Sequence, residues 1–88
     1  MLHKVKLWGQ LKHLAGDEYV QVADVSTVNE LILKLAEERE EISHMLISEG
    51  QANPSILVFI NDNQHLWETP RDLKENDSIT LMSPIAGG

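Results

Sequence analysis

Thr27-Val28-Asn29-Glu30-Leu31-Ile32-Leu33-Lys34-Leu35 is the stretch whose reading decides the fold. Thr27 and Glu30 stand three residues apart, the spacing of a capping box, in which each side chain satisfies an orphan backbone N–H of a helix's first turn. A helix therefore starts at Thr27. Val28, Leu31, Ile32 and Leu35 fall at i, i+3, i+4 and i+7, one apolar stripe, while Asn29, Glu30, Lys34, Glu37 and Glu38 face water. Such a stripe packs on a sheet. The helix fades near Glu40, and the run Glu37-Glu38-Arg39-Glu40-Glu41 reads as a solvated last turn whose acids oppose the helix dipole.

Working outward, the flanking segments supply the sheet. Lys4-Val5-Lys6-Leu7-Trp8 alternates, with Val5 and Leu7 on one face and Lys4, Lys6 and Trp8 on the other. Leu11 to Gly16 reads as a turn of helix with Gly16 in the left-handed position that closes it. Glu18 to Val22 alternates again, an antiparallel partner for the first strand. After the main helix, Ile42 to Ile47 forms a short helical turn stopped by Gly50, and residues 51–55 are loop, with Pro54 forbidding helix. Ile56-Leu57-Val58-Phe59-Ile60 is a continuous apolar strand. A turn at Asn61-Asp62-Asn63 returns a short strand around Gln64-His65-Leu66. Leu73 is tucked inward from a turn, and Lys74-Glu75-Asn76-Asp77 makes another, where Asn76 tolerates a positive φ. Ser78 to Met82 is the last strand, Ile79 and Leu81 inward and Met82 outward, and Pro84 ends it. The fold class is α+β, one mixed sheet on one main helix: a domain over residues 1–82 and a flexible tail over 83–88.

The 88 residues include no cysteine, which removes disulfides, Cys-ligated zinc and a thiol nucleophile. No apolar run approaches the roughly 20 residues that span a bilayer, and the N-terminus lacks a secretory pattern, so a cytoplasmic protein without membrane contact is expected. The formal charge of -7, with only seven Lys and Arg, opposes nucleic-acid binding. The acidic surface instead favours solubility and steering toward a basic patch on a protein partner. His3, His13, His44 and His65 lack metal-ligand spacing and read as surface or satisfied side chains. No nucleophile-base order and no glycine-rich phosphate loop appears.

The chemistry left is at the end, Ser83-Pro84-Ile85-Ala86-Gly87-Gly88. Two glycines without Cβ make a slim backbone that threads a narrow channel and presents a carboxylate to another protein's active site. Beside it, the alternation turns Trp8 and Met82, with Leu57 or Phe59, away from the helix-covered face. Exposed apolar patches of this kind mark partners, unless the loop after the main helix folds over them.

The motifs Val5 to Gly16, Ser26 to Leu31, Val58 to Asn61, Leu73 to Ile79 and Ser83 to Gly88 resemble, in order and spacing, the MoaD/ThiS sulfur-carrier superfamily, on the side of the molybdopterin synthase small subunit. Two positions depart from the family pattern: Glu75-Asn76-Asp77 where Asp-Gly-Asp is common, and Ser83 where a second proline is frequent. The resemblance implies a ubiquitin-like β-grasp fold and a carrier with no bound cofactor and no catalytic site of its own. An E1-like enzyme of the MoeB/ThiF type would use ATP to adenylate Gly88, and sulfur would replace AMP to leave a thiocarboxylate, with Gly87 keeping the tail slim. The tail would then enter a MoaE-like large subunit, in a heterotetramer, and donate sulfur for molybdopterin. Trp8, Phe59, Met82, Pro84 and Ile85 would contact the partners. A related carrier for tRNA thiolation or another metabolite, a protein modifier, and a plain β-grasp interaction domain remain alternatives.

Overall fold

The computed structural model describes residues 1–69 and 71–83. In chain order the elements are β1 (Leu2–Trp8), α1 (Gly9–Ala15), β2 (Tyr19–Ala23), α2 (Val28–Glu38), α3 (Glu40–Leu46), β3 (Ile47–Ser48), β4 (Gln51–Ala52), β5 (Leu57–Ile60), β6 (Asn63–Gln64) and β7 (Ile79–Met82). Five strands form one sheet in the order β2-β1-β7-β5-β6. The first and last strands run parallel through its middle, Val5 opposite Ile79 and Trp8 opposite Met82, and the remaining neighbours are antiparallel. Two parallel strands need a long crossover between them, and α2 lies on that path. This mixed sheet on a helix is the β-grasp architecture.

Period-2 alternation sends Val5, Leu7, Val58 and Leu81, each fully buried, to the face that meets the helices. Leu31, Ile32 and Leu35 of α2 and Ile42 and Leu46 of α3 close the core from the other side. Each such side chain contributes roughly 1.5–3 kcal/mol by leaving water. Leu73, 4% exposed, is tied to the start of α2 by its N–H donating to Ser26 O at 2.8 Å.

The start of α2 shows the reciprocal cap with one shift. Glu30 N–H donates to Thr27 Oγ1 at 3.1 Å, but the Glu30 carboxylate accepts from Ser26, from its N–H at 2.8 Å and its hydroxyl at 2.9 Å, and not from Thr27. Gly16 closes α1 at φ 78 as its position requires. Lys34, expected in water, is half-buried and donates from Nζ to Ala23 O at 2.7 Å.

The acidic run divides differently from expectation. Arg39 leaves helical geometry at φ -128, ψ 83, so Glu40 and Glu41 stand in the first turn of α3. There they complement the dipole; only Glu37 and Glu38 oppose one. Gly50 does not stop a helix. Glu49 and Gly50, at φ 55 and 77, are the two corner residues of a hairpin that pairs Ile47 with Ala52. Both corner residues of such a turn need positive φ, and Glu at one of them concealed the hairpin inside what read as helix and loop. Asn61 and Asp62, φ 53 and 68, turn β5 into β6 in the same way, so that strand begins at Asn63, earlier than its expected centre. Asn76, which tolerates positive φ, does not adopt it.

Candidate partner-docking face

The face of the sheet away from the helices is assembled by register alone. Trp8, Met82 and Leu57 stand side by side across β1, β7 and β5. One row down, Tyr19, Lys6, Thr80, Phe59 and Gln64 cross all five strands. Trp8 is 48% exposed, and Leu57, Phe59 and Met82 are half-buried. Trp8, Phe59 and Met82 line a shallow concavity of about 690 Å3.

The hairpin of β3 and β4 packs on α2, and α3 packs on α1 and α2. The segment after the main helix therefore lies on the core side, and the alternative in which it shields Trp8 and Met82 does not hold. Lysine ammonium groups lie over aromatic rings on this face. Lys4 Nζ lies 4.3 Å from the Tyr19 ring centroid, and Lys6 Nζ lies 5.1 Å from that of Trp8 and 6.0 Å from that of Tyr19. Such contacts contribute about 0.5–1 kcal/mol at exposed sites. The Lys6–Glu18 ion pair, at 3.8 Å and solvent-accessible, adds little. In a chain of charge -7 this face carries two lysines on β1. The acids that border it, Asp62, Glu75 and Asp77, sit at the far end from Trp8 and Met82.

Asp77 builds that far end. Its carboxylate accepts from Lys74 N–H at 2.8 Å, from Asn61 Nδ2 at 2.8 Å and from Arg71 at 3.4 Å, and its side chain is 6% accessible. The Lys74 N–H is the main reason its pKa lies below the usual aspartate value; burial opposes this, and Asn61 and Arg71 assist. A carboxyl whose folded pKa is depressed stabilises the fold above its unfolded pKa, and that contribution is lost as pH falls through the folded value. Asp77→Asn is expected to lower stability at neutral pH and to flatten the loss of stability below about pH 4. Urea unfolding of both proteins across that range checks it; parallel pH profiles would contradict the assignment.

At the other end β7 delivers the chain into Ser83, which is 7% exposed. Gly9, in left-handed backbone at φ 62, passes close by: a Cβ built there would sit 3.9 Å from Ser83 Oγ. The body is thus anchored through Ser83, one residue past Met82, directly beside the Trp8–Met82–Leu57 row. Pro84, Ile85, Gly87 and Gly88 lie outside the described residues.

One buried and one partly buried group escaped the sequence reading. His3 is 1% exposed with neither ring nitrogen hydrogen-bonded among the described residues, against the expectation of a surface or satisfied side chain. The β1 alternation, extended one residue pair back from Val5, would have placed it inward. Trp67 packs against the core, with Nε1 donating to Ile56 O at 3.2 Å, from a segment with no periodic signal. Among the described residues no cluster of His, Cys, Asp and Glu could hold a metal ion, and no helix is long and apolar enough to cross a membrane.

The family profile of ThiS matches residues 5–88. The chain belongs to the ThiS family. Among solved structures, small archaeal modifier protein 1 from Methanosarcina acetivorans superposes with a TM-score of 0.79 at 25% identity, covering 99% of this chain and 96% of that one. A structure of the Amycolatopsis orientalis BexX/CysO complex matches at 0.71 and 25% identity, covering 97% and 98%. The Helicobacter pylori complex of molybdopterin-converting factor subunits 1 and 2 matches in fold at 0.60 and 21% identity, covering all of both chains. No curated protein matches the sequence. This ThiS-family chain is thus a ubiquitin-like sulfur carrier by family, and a β-grasp by fold.

Proposed function

We propose that this chain carries sulfur as a thiocarboxylate on Gly88 and donates it in molybdopterin synthesis as the small subunit of the synthase. One observation carries the reading. The last strand ends beside a row of Trp8, Met82 and Leu57 that no other element among the described residues covers, so a sequence ending in Gly87-Gly88 leaves the body where a partner would grip it. Phe59 continues the grip, with Pro84 and Ile85 at the base of the tail.

A carboxylate is a poor electrophile, so the terminus must be activated. An E1-like partner uses ATP to form the Gly88 acyl-adenylate and releases pyrophosphate. The terminal sulfur of a persulfide attacks the acyl carbon and expels AMP, and a thiol cleaves the remaining S–S bond to free the thiocarboxylate. The large synthase subunit then receives the tail. This chain contributes a slim terminus and a docking face, consistent with the absence of cysteine. The cytoplasm, where ATP and thiols are plentiful, is the proposed compartment.

The test is intact-mass analysis after incubation with an E1-like enzyme of the MoeB/ThiF type, ATP and a persulfide source with reductant. The expected product is heavier by the difference between one sulfur and one oxygen, located at Gly88. An unchanged mass overturns the carrier reading. Thiocarboxylate formation without binding to a MoaE-like subunit would keep the carrier and redirect it to tRNA thiolation, another metabolite or protein modification.

A further inference from the structure

β2 is an edge of the sheet, bonded only to β1. Its hydrogen-bonding phase follows from two contacts: Leu7 N–H donates to Glu18 O at 2.7 Å and Asp24 N–H donates to Met1 O at 2.9 Å. In an antiparallel ladder, residues facing the partner alternate with residues facing away, so the N–H and C=O groups of Tyr19, Gln21 and Ala23 point outward. Lys34 occupies the Ala23 carbonyl. The other outward groups have no partner among the described residues. Edge strands are ordinarily blunted by a lysine, a proline or a bulge. Tyr19-Val20-Gln21-Val22-Ala23 contains no charge and no proline.

We propose that this edge accepts an extended segment of a partner protein as a sixth strand, and that the segment is acidic. The charge follows from two ammonium groups. Lys4 Nζ leans from β1 over the Tyr19 ring, toward the edge, and has no carboxylate within ion-pair distance among the described residues. Lys34 Nζ, on the helix side, likewise has only a carbonyl. An ammonium has three donors, so each retains capacity for a carboxylate on an added strand, one on each side of the sheet. The acids flanking the edge do not fill that capacity: Glu18 lies 3.8 Å from Lys6, Asp17 lies 2.9 Å from Arg39, and Asp24 lies 3.8 Å from the N-terminal ammonium. A second copy of this chain fits less well, because antiparallel self-pairing centred on Gln21 sets Glu18 opposite Asp24. The proposal does not depend on the carrier reading.

The probe is a short capped peptide alternating Glu and Val, titrated into the whole protein and followed by residue-resolved NMR and amide exchange. The amides of Tyr19, Gln21 and Ala23 exchange freely alone and slow roughly tenfold or more with bound peptide. Lys4→Glu is expected to weaken binding about fivefold or more. Gln21→Pro removes an outward N–H without touching the β1 ladder and is expected to abolish binding; should it not fold, Lys4→Glu keeps the test. Equal binding of a Lys/Val peptide, shifts centred on Trp8 and Met82, unprotected edge amides, or edge protection by self-association without peptide each overturn the proposal.

Discussion

A single alanine appended after Gly88 is expected to abolish sulfur transfer while leaving the fold unchanged. The reacting atom in the proposed chemistry is the carbonyl carbon of Gly88, and it is electrophilic only after its free carboxylate is adenylated. An added residue turns that carboxylate into an amide and moves the new terminus one residue onward. The added Cβ also widens a tail whose two glycines suit it to a narrow channel. Enzymes lose orders of magnitude when the reacting atom is misplaced by about 1 Å, and one residue moves it by about 3.3–3.6 Å. The measurement is intact mass after incubation with the activating enzyme and ATP, alongside a thermal unfolding curve. No sulfur gain with an unchanged midpoint is the expected pair. Full thiolation of the extended chain, without trimming back to Gly88, would show that Gly88 is not the required acceptor and would overturn the placement of the thiocarboxylate there.

The parts of the molecule legible in the sequence are those where a local rule and the global packing agree. Val5 and Leu7, Ile79 and Leu81, and the stripe from Val28 to Leu35 all read inward from periodicity and are buried. The same alternation put Trp8 and Met82 on the outer face, where Trp8 is exposed and Met82 half-buried. What stayed hidden depends on contacts between distant residues or on unusual backbone. The β3–β4 hairpin turns on a glutamate at φ 55, a conformation that side chain rarely adopts. Asp77 also accepts from Asn61, sixteen residues away, a contact no local pattern shows. Lys34 has the polar position of a solvated helix face, yet its amine caps a carbonyl on another element. The free edge of β2 required strand order, which no local pattern encodes.

Adjacent residues on β7 are expected to separate folding from docking. Leu81 is fully buried between Leu7 and Val58, the central contact of the sheet's inner face. Leu81→Ala removes methyl groups the close-packed core cannot readily replace, a cost of about 2–5 kcal/mol. Domains are stable by only about 5–15 kcal/mol, so this variant loses a large fraction of its reserve and unfolds at markedly lower urea. Met82 points the other way, half-buried between Trp8 and Leu57. Met82→Ala empties no enclosed core, and its stability change is expected within about 1 kcal/mol. Its loss should appear in binding: a side chain central to an apolar contact costs about 1–2 kcal/mol or more when truncated, roughly tenfold in affinity. Urea unfolding and titration against the E1-like enzyme, on both variants, decide the matter. Should Met82→Ala unfold as readily as Leu81→Ala, the outer face is structural; should it fold normally and bind at full strength, the partner docks elsewhere. Only the opposite pattern, a weakened fold at 81 and a weakened grip at 82, fits a sheet that uses one face to hold itself together and the other to hold a partner.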